Sequence, residues 1–256
     1  MTKDHSPYEL EYMTRPEAAE CFSKWKTAIL PIGATEQHGP HLPLGTDSFI
    51  AHHVAVKLAE RVQAVVLPVL PMSYSWVWRD IPGSMVLSVD TVKNTIKEIA
   101  HSLHRQGCDR LVVFSGHGAN DSAMKYAARE LADEIPLEVY YFVYPNLQQI
   151  AKRYAKAPLW HGMFHACEFE TSWILAIRPD LCHMDKAVAE YPPDDDAFLY
   201  HYSSLPMGAL SSSGVYGDAT KATREKGEVT LGEIIEYMVD VLDRSDSVKD
   251  VYKGGK

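Results

Sequence analysis

The chain has 256 residues, of which 46% are hydrophobic and 23% charged, and its formal net charge is −9. This composition is typical of a globular enzyme and excludes the disordered and fibrous classes, and the negative charge argues against nucleic acid or an anionic membrane as a partner. No apolar run reaches the ~18 residues of a membrane span, and the N-terminus MTKDHSPYELEYM is too polar for a secretory signal. We therefore expect one cytoplasmic domain, residues 1–256, that acts on a small molecule.

The first buried strand is predicted at Ala28–Ile32, and a Gly- and Pro-rich polar segment follows it directly, PIGATEQHGPHLPLGTD. Glu36 and His38 are two residues apart, so an extended backbone projects both side chains to the same side, while the turns can return Asp47 to them. Imidazole nitrogen and carboxylate oxygen are ligands of zinc and manganese. The segment predicts a metal site; the alternative is a polar loop that covers the sheet edge.

Further elements follow in alternation. Helical spacing predicts a helix over Ser48–Arg61, an apolar run predicts a strand over Val65–Leu70, and Asp90 or Thr91 begins a helix that ends at Gln106. The long loop between them, Pro71–Ser88, is rich in aromatic residues. They form either a substrate wall or a subunit interface: Tyr74, Trp76 and Trp78.

A third strand is predicted at Arg110–Ser115, a polar turn holding His117 follows it, and a helix over Asp121–Glu134 leads to a fourth strand, Leu137–Tyr144. Apolar strands that alternate with helices predict an α/β fold with a mostly parallel sheet covered on both faces. Open α/β sheets bind ligands at the carboxyl ends of their strands. The chain has no Gly-rich nucleotide-binding motif, so a nucleotide cofactor is not indicated.

The second half contributes one more polar cluster, HACEFETS, which supplies His165, Glu168 and Glu170 just before an apolar helix predicted at Trp173–Ile177. Thr230 and Glu233 form a predicted capping box for the last helix, Leu231–Leu242. The cysteines lack metal or disulfide spacing and are predicted to be free thiols: Cys21, Cys108, Cys167 and Cys182.

Three separate segments thus supply histidines and carboxylates at sheet ends that a doubly wound fold brings together. They offer more ligands than one tetrahedral ion needs, which suggests two divalent metal ions bridged by a carboxylate and a water. Such a pair holds the water as a hydroxide that attacks a carbonyl, and polarises the carbonyl oxygen. His41 is interpreted as a group that supports the ligands.

Four blocks carry a resemblance to a known family: EQHGPHLPLGTD, SGHGAN, HACEFETS and GVYGDATKATREKG. In this order, and spanning about residues 25 to 230, they resemble the creatininase (creatinine amidohydrolase) family. The resemblance implies a three-layered α/β domain, a binuclear site with zinc or manganese, and a homohexamer built as a trimer of dimers.

The resemblance also implies roles for single residues. Glu36, Asp47 and His117 match the ligands of one metal ion. His38, Asp47 and Glu170 match those of the other, so that Asp47 bridges the two. His165 matches the histidine that moves protons to the leaving group, which agrees with an imidazole acting as general acid or base.

The chain departs from the family where creatininases carry a tyrosine and a metal-binding glutamate after the Gly-His pair. It has Gly118 and Ala119 there. Glu168 is predicted to replace the missing carboxylate, either as a metal ligand or as an acid–base group, and creatinine itself is not the expected substrate.

The predicted function is therefore a metal-dependent hydrolase in which a metal-bound hydroxide attacks the carbonyl of a small polar, cyclic amide. One alternative is hydrolytic ring opening of a keto-inositol by the same nucleophile. The other is a non-catalytic, metal-containing scaffold that binds a metabolite. The first two differ in whether an amine or ammonia is released.

Overall fold

The computed structural model describes residues 5–253, with side chains through Val248. Its central sheet has four strands in the order β2-β1-β3-β4, and every neighbouring pair is parallel. The strands are β1 (Thr27–Ile32), β2 (Val65–Val66), β3 (Arg110–Ser115) and β4 (Glu138–Val143). The predicted mostly parallel α/β sheet is confirmed.

Helices precede, connect and follow these strands. The α-helices are α1 (Arg15–Lys24), α2 (Thr46–Val62), α3 (Val89–Arg105), α4 (Asp121–Glu134), α5 (Leu147–Tyr154), α6 (Glu168–Ile177), α7 (Ala197–Tyr202) and α8 (Arg224–Lys253). A small antiparallel pair, β5 (Ala189–Glu190) and β6 (Gly217–Asp218), lies outside the main sheet. None of the described helices is both long and apolar enough to cross a membrane.

The sheet has an apolar core on each face, because successive side chains of a strand point to opposite sides. Ile29 and Val112 pack in the core formed with α2, α5, α6 and α8. Their neighbours Leu30 and Val113 pack in the other core, formed with α1, α3 and α4. The result is three layers, with helices on both faces of the sheet.

The carboxyl ends of the three longer strands lie side by side, since Ile32 pairs with Ser115 and Ser115 with Val143. The polar segments that follow these strands therefore start at one edge of the sheet. A glycine allows a close approach there: a Cβ on Gly116 would lie 2.3 Å from the carbonyl oxygen of Asp47. This contact brings the first turn of α2 against the end of β3.

Three predicted elements differ from the structure. The second strand is regular only at Val65–Val66; its pairing with β1 resumes at Leu70, after one extra residue that interrupts the ladder. Helix α6 begins at Glu168 rather than at Trp173, so HACEFETS is partly helical. The capping box at Thr230 is wrong: α8 begins at Arg224, and the Thr230 hydroxyl lies inside the helix, donates to the Lys226 carbonyl and accepts from Trp173 Nε1.

Candidate metal centre

Carboxylates and imidazoles from three parts of the chain converge at the sheet edge. Their ligand atoms fall into two groups of three that share one residue, and within each group the atoms all lie within 4.8 Å of one another. The groups are Glu36, Asp47 and His117, and His38, Asp47 and Glu170. All five side chains are buried, the most exposed being His117 at 6%.

Asp47 lies between the two groups because it belongs to the first turn of α2, which Gly116 admits close to β3. Its Oδ1 is 3.1 Å from His38 Nε2, and its Oδ2 is 3.4 Å from His117 Nδ1. Each carboxylate oxygen of Asp47 therefore faces a different imidazole. Glu36 Oε1 lies 3.1 Å from His117 Nδ1, and Glu170 Oε2 lies 3.9 Å from His38 Nε2.

Main-chain carbonyls orient three imidazoles. His38 Nδ1 is 3.2 Å from the carbonyl oxygen of Glu36, and His117 Nε2 is 3.0 Å from that of Tyr74. His165 Nε2 is 2.7 Å from the carbonyl oxygen of Gln37. A carbonyl can only accept, so each of these ring nitrogens donates. The opposite nitrogen of each ring, which faces the carboxylates, is therefore available as a ligand or proton acceptor.

Two buried carboxylate oxygens at the centre have no hydrogen-bond partner in the structure, Glu36 Oε1 and Asp47 Oδ2. Leaving a buried carboxylate oxygen unpaired is costly, so a cation is the partner that this arrangement lacks. The other oxygen of Glu36 accepts from Ser75 Oγ at 2.5 Å, which holds Oε1 toward His117. The residues present thus fit divalent metal ions.

The pKa values reflect the same excess of negative charge. Burial by itself lowers the pKa of His38, but the carboxylate of Asp47 and then that of Glu170 raise it to about 9. Burial likewise opposes protonation of His117, whose pKa is raised by Glu36 and Asp47. Burial also raises the pKa of Glu170, to about 8. Without metal ions, protons on the imidazoles compensate the buried carboxylates.

His165 lies at the same centre with a different environment. Its Nδ1 is 3.7 Å from Glu36 Oε1, and Glu36, His38 and His165 form a further group of converging ligand atoms. Its ring stacks on Trp78, with centroids 4.3 Å apart. Burial, together with the charge on His38, lowers the pKa of His165 well below its usual value, so the ring is neutral at pH 7.

Glu168 is not brought into the cluster, which corrects the predicted role at the metals. Its carboxylate accepts from the backbone N–H of Lys156 at 2.9 Å and of Ala157 at 3.2 Å, and it forms a buried ion pair with Lys226. Its oxygens are thus committed to other partners. The reason is helical geometry: Glu168 and Glu170 are two apart in α6, about 200° around the helix axis.

Two other candidates lie beside the cluster. His41 is buried, and its Nε2 is 2.8 Å from Thr171 Oγ1, directly after Glu170 in α6. A contact with α6 at this point agrees with the supporting role predicted for it. Cys167 is packed in the core, where burial raises the pKa of its thiol, and the four cysteines are free as predicted.

A cavity of about 400 Å³ opens onto the cluster through His117, His165 and Glu170. The aromatic loop contributes Val77 and Trp78 to its lining, which is the position that a substrate wall requires. Trp76 is not part of the lining; the guanidinium of Arg79 lies 4.0 Å over its ring. The remaining lining includes the end of β4 and the segment before α6.

Sequence reasoning missed two contributors to the site. Ser75 holds Glu36, and the Tyr144 hydroxyl donates to the carbonyl oxygen of Gly116 at 2.6 Å, just before His117. Tyr144 directly follows β4, at the edge that carries the ligands, and this position was the one available signal. Ser75 lies in the long loop between β2 and α3, where no pattern marked it.

Comparison with known proteins gives a consistent result. The family model for creatininase, described as creatinine amidohydrolase, matches residues 11–242. Creatinine amidohydrolase of Pseudomonas putida is 30% identical over 250 residues, which are 91% of this chain and 92% of that protein. A mycofactocin precursor peptide peptidase of Mycobacterium ulcerans is 28% identical over 239 residues, 87% of this chain and 86% of that one. The 3-dehydro-scyllo-inosose hydrolase of Thermotoga maritima is 24% identical over 258 residues, 91% and 83%.

Solved structures agree with these matches in fold and extent. A crystal structure of creatinine amidohydrolase superposes with a TM-score of 0.79 at 28% identity and covers 93% of this chain and 97% of that chain. A zinc form of a creatininase variant gives a TM-score of 0.79 at 28% identity, over 94% and 99% of the two chains. A manganese form of creatininase gives a TM-score of 0.76 at 27% identity, over 93% of this chain and 98% of that chain. The four sequence blocks, the fold and the family model agree, and the chain belongs to the creatininase family.

Proposed function

We propose that this chain is a binuclear metal-dependent hydrolase that cleaves the C–N bond of a small amide, cyclic amides included. Glu36, Asp47 and His117 would hold one divalent ion, and His38, Asp47 and Glu170 the other. The family supports the hydrolase class, because the relatives it resembles are an amidohydrolase, a peptidase and a hydrolase. Zinc and manganese are the proposed ions, since related creatininase structures exist in both forms.

The observation that carries the proposal is the sharing of Asp47 between two buried groups of three ligands, each with an oxygen or nitrogen aimed inward. The unpartnered atoms Glu36 Oε1 and Asp47 Oδ2 support it further. The ions would supply Lewis acidity, which lowers the pKa of water and polarises a substrate carbonyl. A structural zinc site is a poorer explanation, because such sites have four ligands rich in cysteine.

His165 is proposed to move the protons. Its neutral ring donates through Nε2 to Gln37, so its Nδ1 has a lone pair that faces the cluster. Nδ1 can accept a proton from the attacking water and return it to the leaving nitrogen. Stacking on Trp78 fixes the ring plane for both transfers.

Ring opening of a keto-inositol is the second candidate, favoured by the similarity to the inosose hydrolase. It requires a pocket that hydrogen-bonds several hydroxyl groups. The cavity next to the cluster is lined mainly by carbon, so a polyol would lose more hydrogen bonds to water there than the lining can replace. Amide cleavage is therefore the first proposal, and release of ammonia or an amine distinguishes it from ring opening.

Replacement of Asp47 by Asn tests the proposal. We expect Asp47→Asn to lose amide hydrolysis by at least ~100-fold and to reduce the metal content, because both ions lose the shared carboxylate. Metal is measured by elemental analysis and activity by ammonia release, with folding checked by circular dichroism. Asp133→Asn, an exposed position on α4, is the matched control. Full turnover in the Asp47→Asn protein contradicts the binuclear proposal.

A further inference from the structure

We propose that the cavity beside the cluster is a subsite for an uncharged, apolar substituent of the substrate, aromatic or branched aliphatic. The inference rests on the proposed amide hydrolysis and names the class of amide. It departs from the expectation from the sequence, which was that the substrate is a small polar compound. Polarity is then confined to the reacting amide group, which meets the cluster.

The walls of this cavity are mainly hydrocarbon. Apolar side chains line it on several sides: Val77, Val143, Leu147, Met163, Phe164 and Met207. Trp78 closes it next to His165. Burying carbon against such walls contributes ~25 cal/mol for each Å² removed from water, so an apolar substituent gains affinity here.

Charged side chains in the lining belong to the cluster alone. His117, His165 and Glu170 are the titratable acids and bases among the lining residues, which include no lysine or arginine. The phenols of Tyr144 and Tyr200 are neutral, and that of Tyr144 already donates to the Gly116 carbonyl oxygen. Away from the cluster, a carboxylate or ammonium group on the substrate would therefore be desolvated without a partner of opposite charge.

Small residues hold the cavity open beside His117. Gly118 and Ala119 line it, and a Cβ placed on Gly118 would meet no heavy atom within 4 Å. Helix α5 and the segment before α6 face this space with Leu147, Met163 and Phe164. Room for a bulky group is therefore available next to the reacting atoms.

The reaction for such a substrate is hydrolysis of a neutral amide. The C–N bond breaks, and a C–O bond to the oxygen of water forms. The leaving nitrogen takes up a proton of that water and departs as an amine, or as ammonia when the amide is primary. No oxidant, reductant or second substrate is needed. The apolar substituent remains on the carboxylic acid product.

The first experiment compares primary amides with the metal-loaded protein. Phenylacetamide is measured against its para-carboxylate and para-aminomethyl analogues, the second of which carries an ammonium group at neutral pH, and against acetamide, by ammonia release. We expect the kcat/KM of phenylacetamide to exceed that of each of the other three by ~10-fold or more, because they lack the apolar group or carry an unpaired charge.

Filling the subsite is the second experiment. Gly118→Leu is expected to lower kcat/KM for phenylacetamide by ~10-fold more than for acetamide. Gly232→Leu is the matched control: a Cβ there also meets no atom within 4 Å, but it lies on α8 at a different cavity. The control should leave the ratio of the two substrates unchanged.

The outcomes separate this inference from the proposed function. The inference alone is overturned if acetamide or a charged analogue is hydrolysed at least as fast as phenylacetamide. It is also overturned if Gly118→Leu lowers kcat/KM equally for phenylacetamide and acetamide. If none of the four amides is hydrolysed, the proposed function fails for acyclic amides, and equilibrium binding of phenylacetone still tests the cavity. Binding that Gly118→Leu weakens and Gly232→Leu does not supports the subsite; no binding overturns it.

Discussion

The imidazole of His38 shows how the cluster is balanced without metal ions. Its Nδ1 donates to the Glu36 carbonyl oxygen, and its Nε2 faces Asp47. Although burial disfavours the charged ring, Asp47 and then Glu170 raise its pKa to about 9. A metal ion must therefore displace the proton from Nε2.

Metal affinity is accordingly expected to depend on pH. Because His38 is protonated below about pH 9 in the ion-free protein, protons compete with the metal. Metal affinity should therefore fall ~10-fold for each unit by which the pH is lowered, for each proton that metal binding releases. Competition with a chromophoric chelator between pH 6 and 8.5 measures it. His201→Gln, at an exposed histidine on α7, should keep the same slope. An affinity independent of pH would contradict the expectation.

Glu168 and Glu170 illustrate what could not be predicted from sequence at this scale. Both follow His165 in HACEFETS, and both are carboxylates beside a predicted helix. The helix begins at Glu168, three residues after His165 and directly after its N-cap Cys167, and so takes in both carboxylates. Side chains two residues apart point to the same side of a strand but to nearly opposite sides of a helix. The choice between them thus depended on a helix boundary that apolar periodicity alone does not determine.

Helix α6 offers a direct test of this assignment. Glu168→Gln is expected to cost roughly 3–5 kcal/mol in free energy of unfolding, because Lys226 is left buried without its charge partner. Its metal content should not change. Denaturant unfolding and elemental analysis measure the two effects.

Glu170→Gln is the matched control on the same helix, since it makes the same chemical change two residues away. It should lower the metal content, because Glu170 lies in the group with His38 and Asp47. Loss of an ion in Glu168→Gln would restore the role at the metals that the sequence predicted.

The packing of α2 against β3 gives a second prediction for an element. A Cβ on Gly116 would lie 2.3 Å from the Asp47 carbonyl oxygen, so Gly116→Ala must push α2 away and should cost ~1–3 kcal/mol of stability. The displacement moves Asp47, and metal affinity should fall as well. Gly118→Ala, where no atom is within 4 Å, should leave stability unchanged. Equal stability of both variants would show that α2 can shift freely.

At the scale of the whole molecule, the sequence predicted the sheet well. The bounds of β3 and α4 agree with the apolar and helical patterns, Arg110–Ser115 and Asp121–Glu134. Buried parallel strands are runs of apolar residues, and these runs are visible in the sequence. The second half was harder, because the segment from Pro179 to Lys221 consists of short elements, the longest being the 6 residues of α7, which are too short to show a period.

The homohexamer implied by the family resemblance stays a proposal for the whole molecule. We expect light scattering after size exclusion to give six times the mass of one chain, with the same value for apo and metal-loaded protein. A monomer or dimer at micromolar concentration would contradict it. The measurement also gives the oligomeric state in which the cavity experiments are made.

The carbonyl acceptors of the three imidazoles have an evolutionary consequence. They belong to the main chain of Glu36, Gln37 and Tyr74, so a point substitution changes the side chain but leaves the acceptor in place. The orientation of the rings is thereby protected against most mutations, whereas the cavity walls consist of side chains that can be exchanged singly. A lineage with this design can change what it acts on while it retains how it acts.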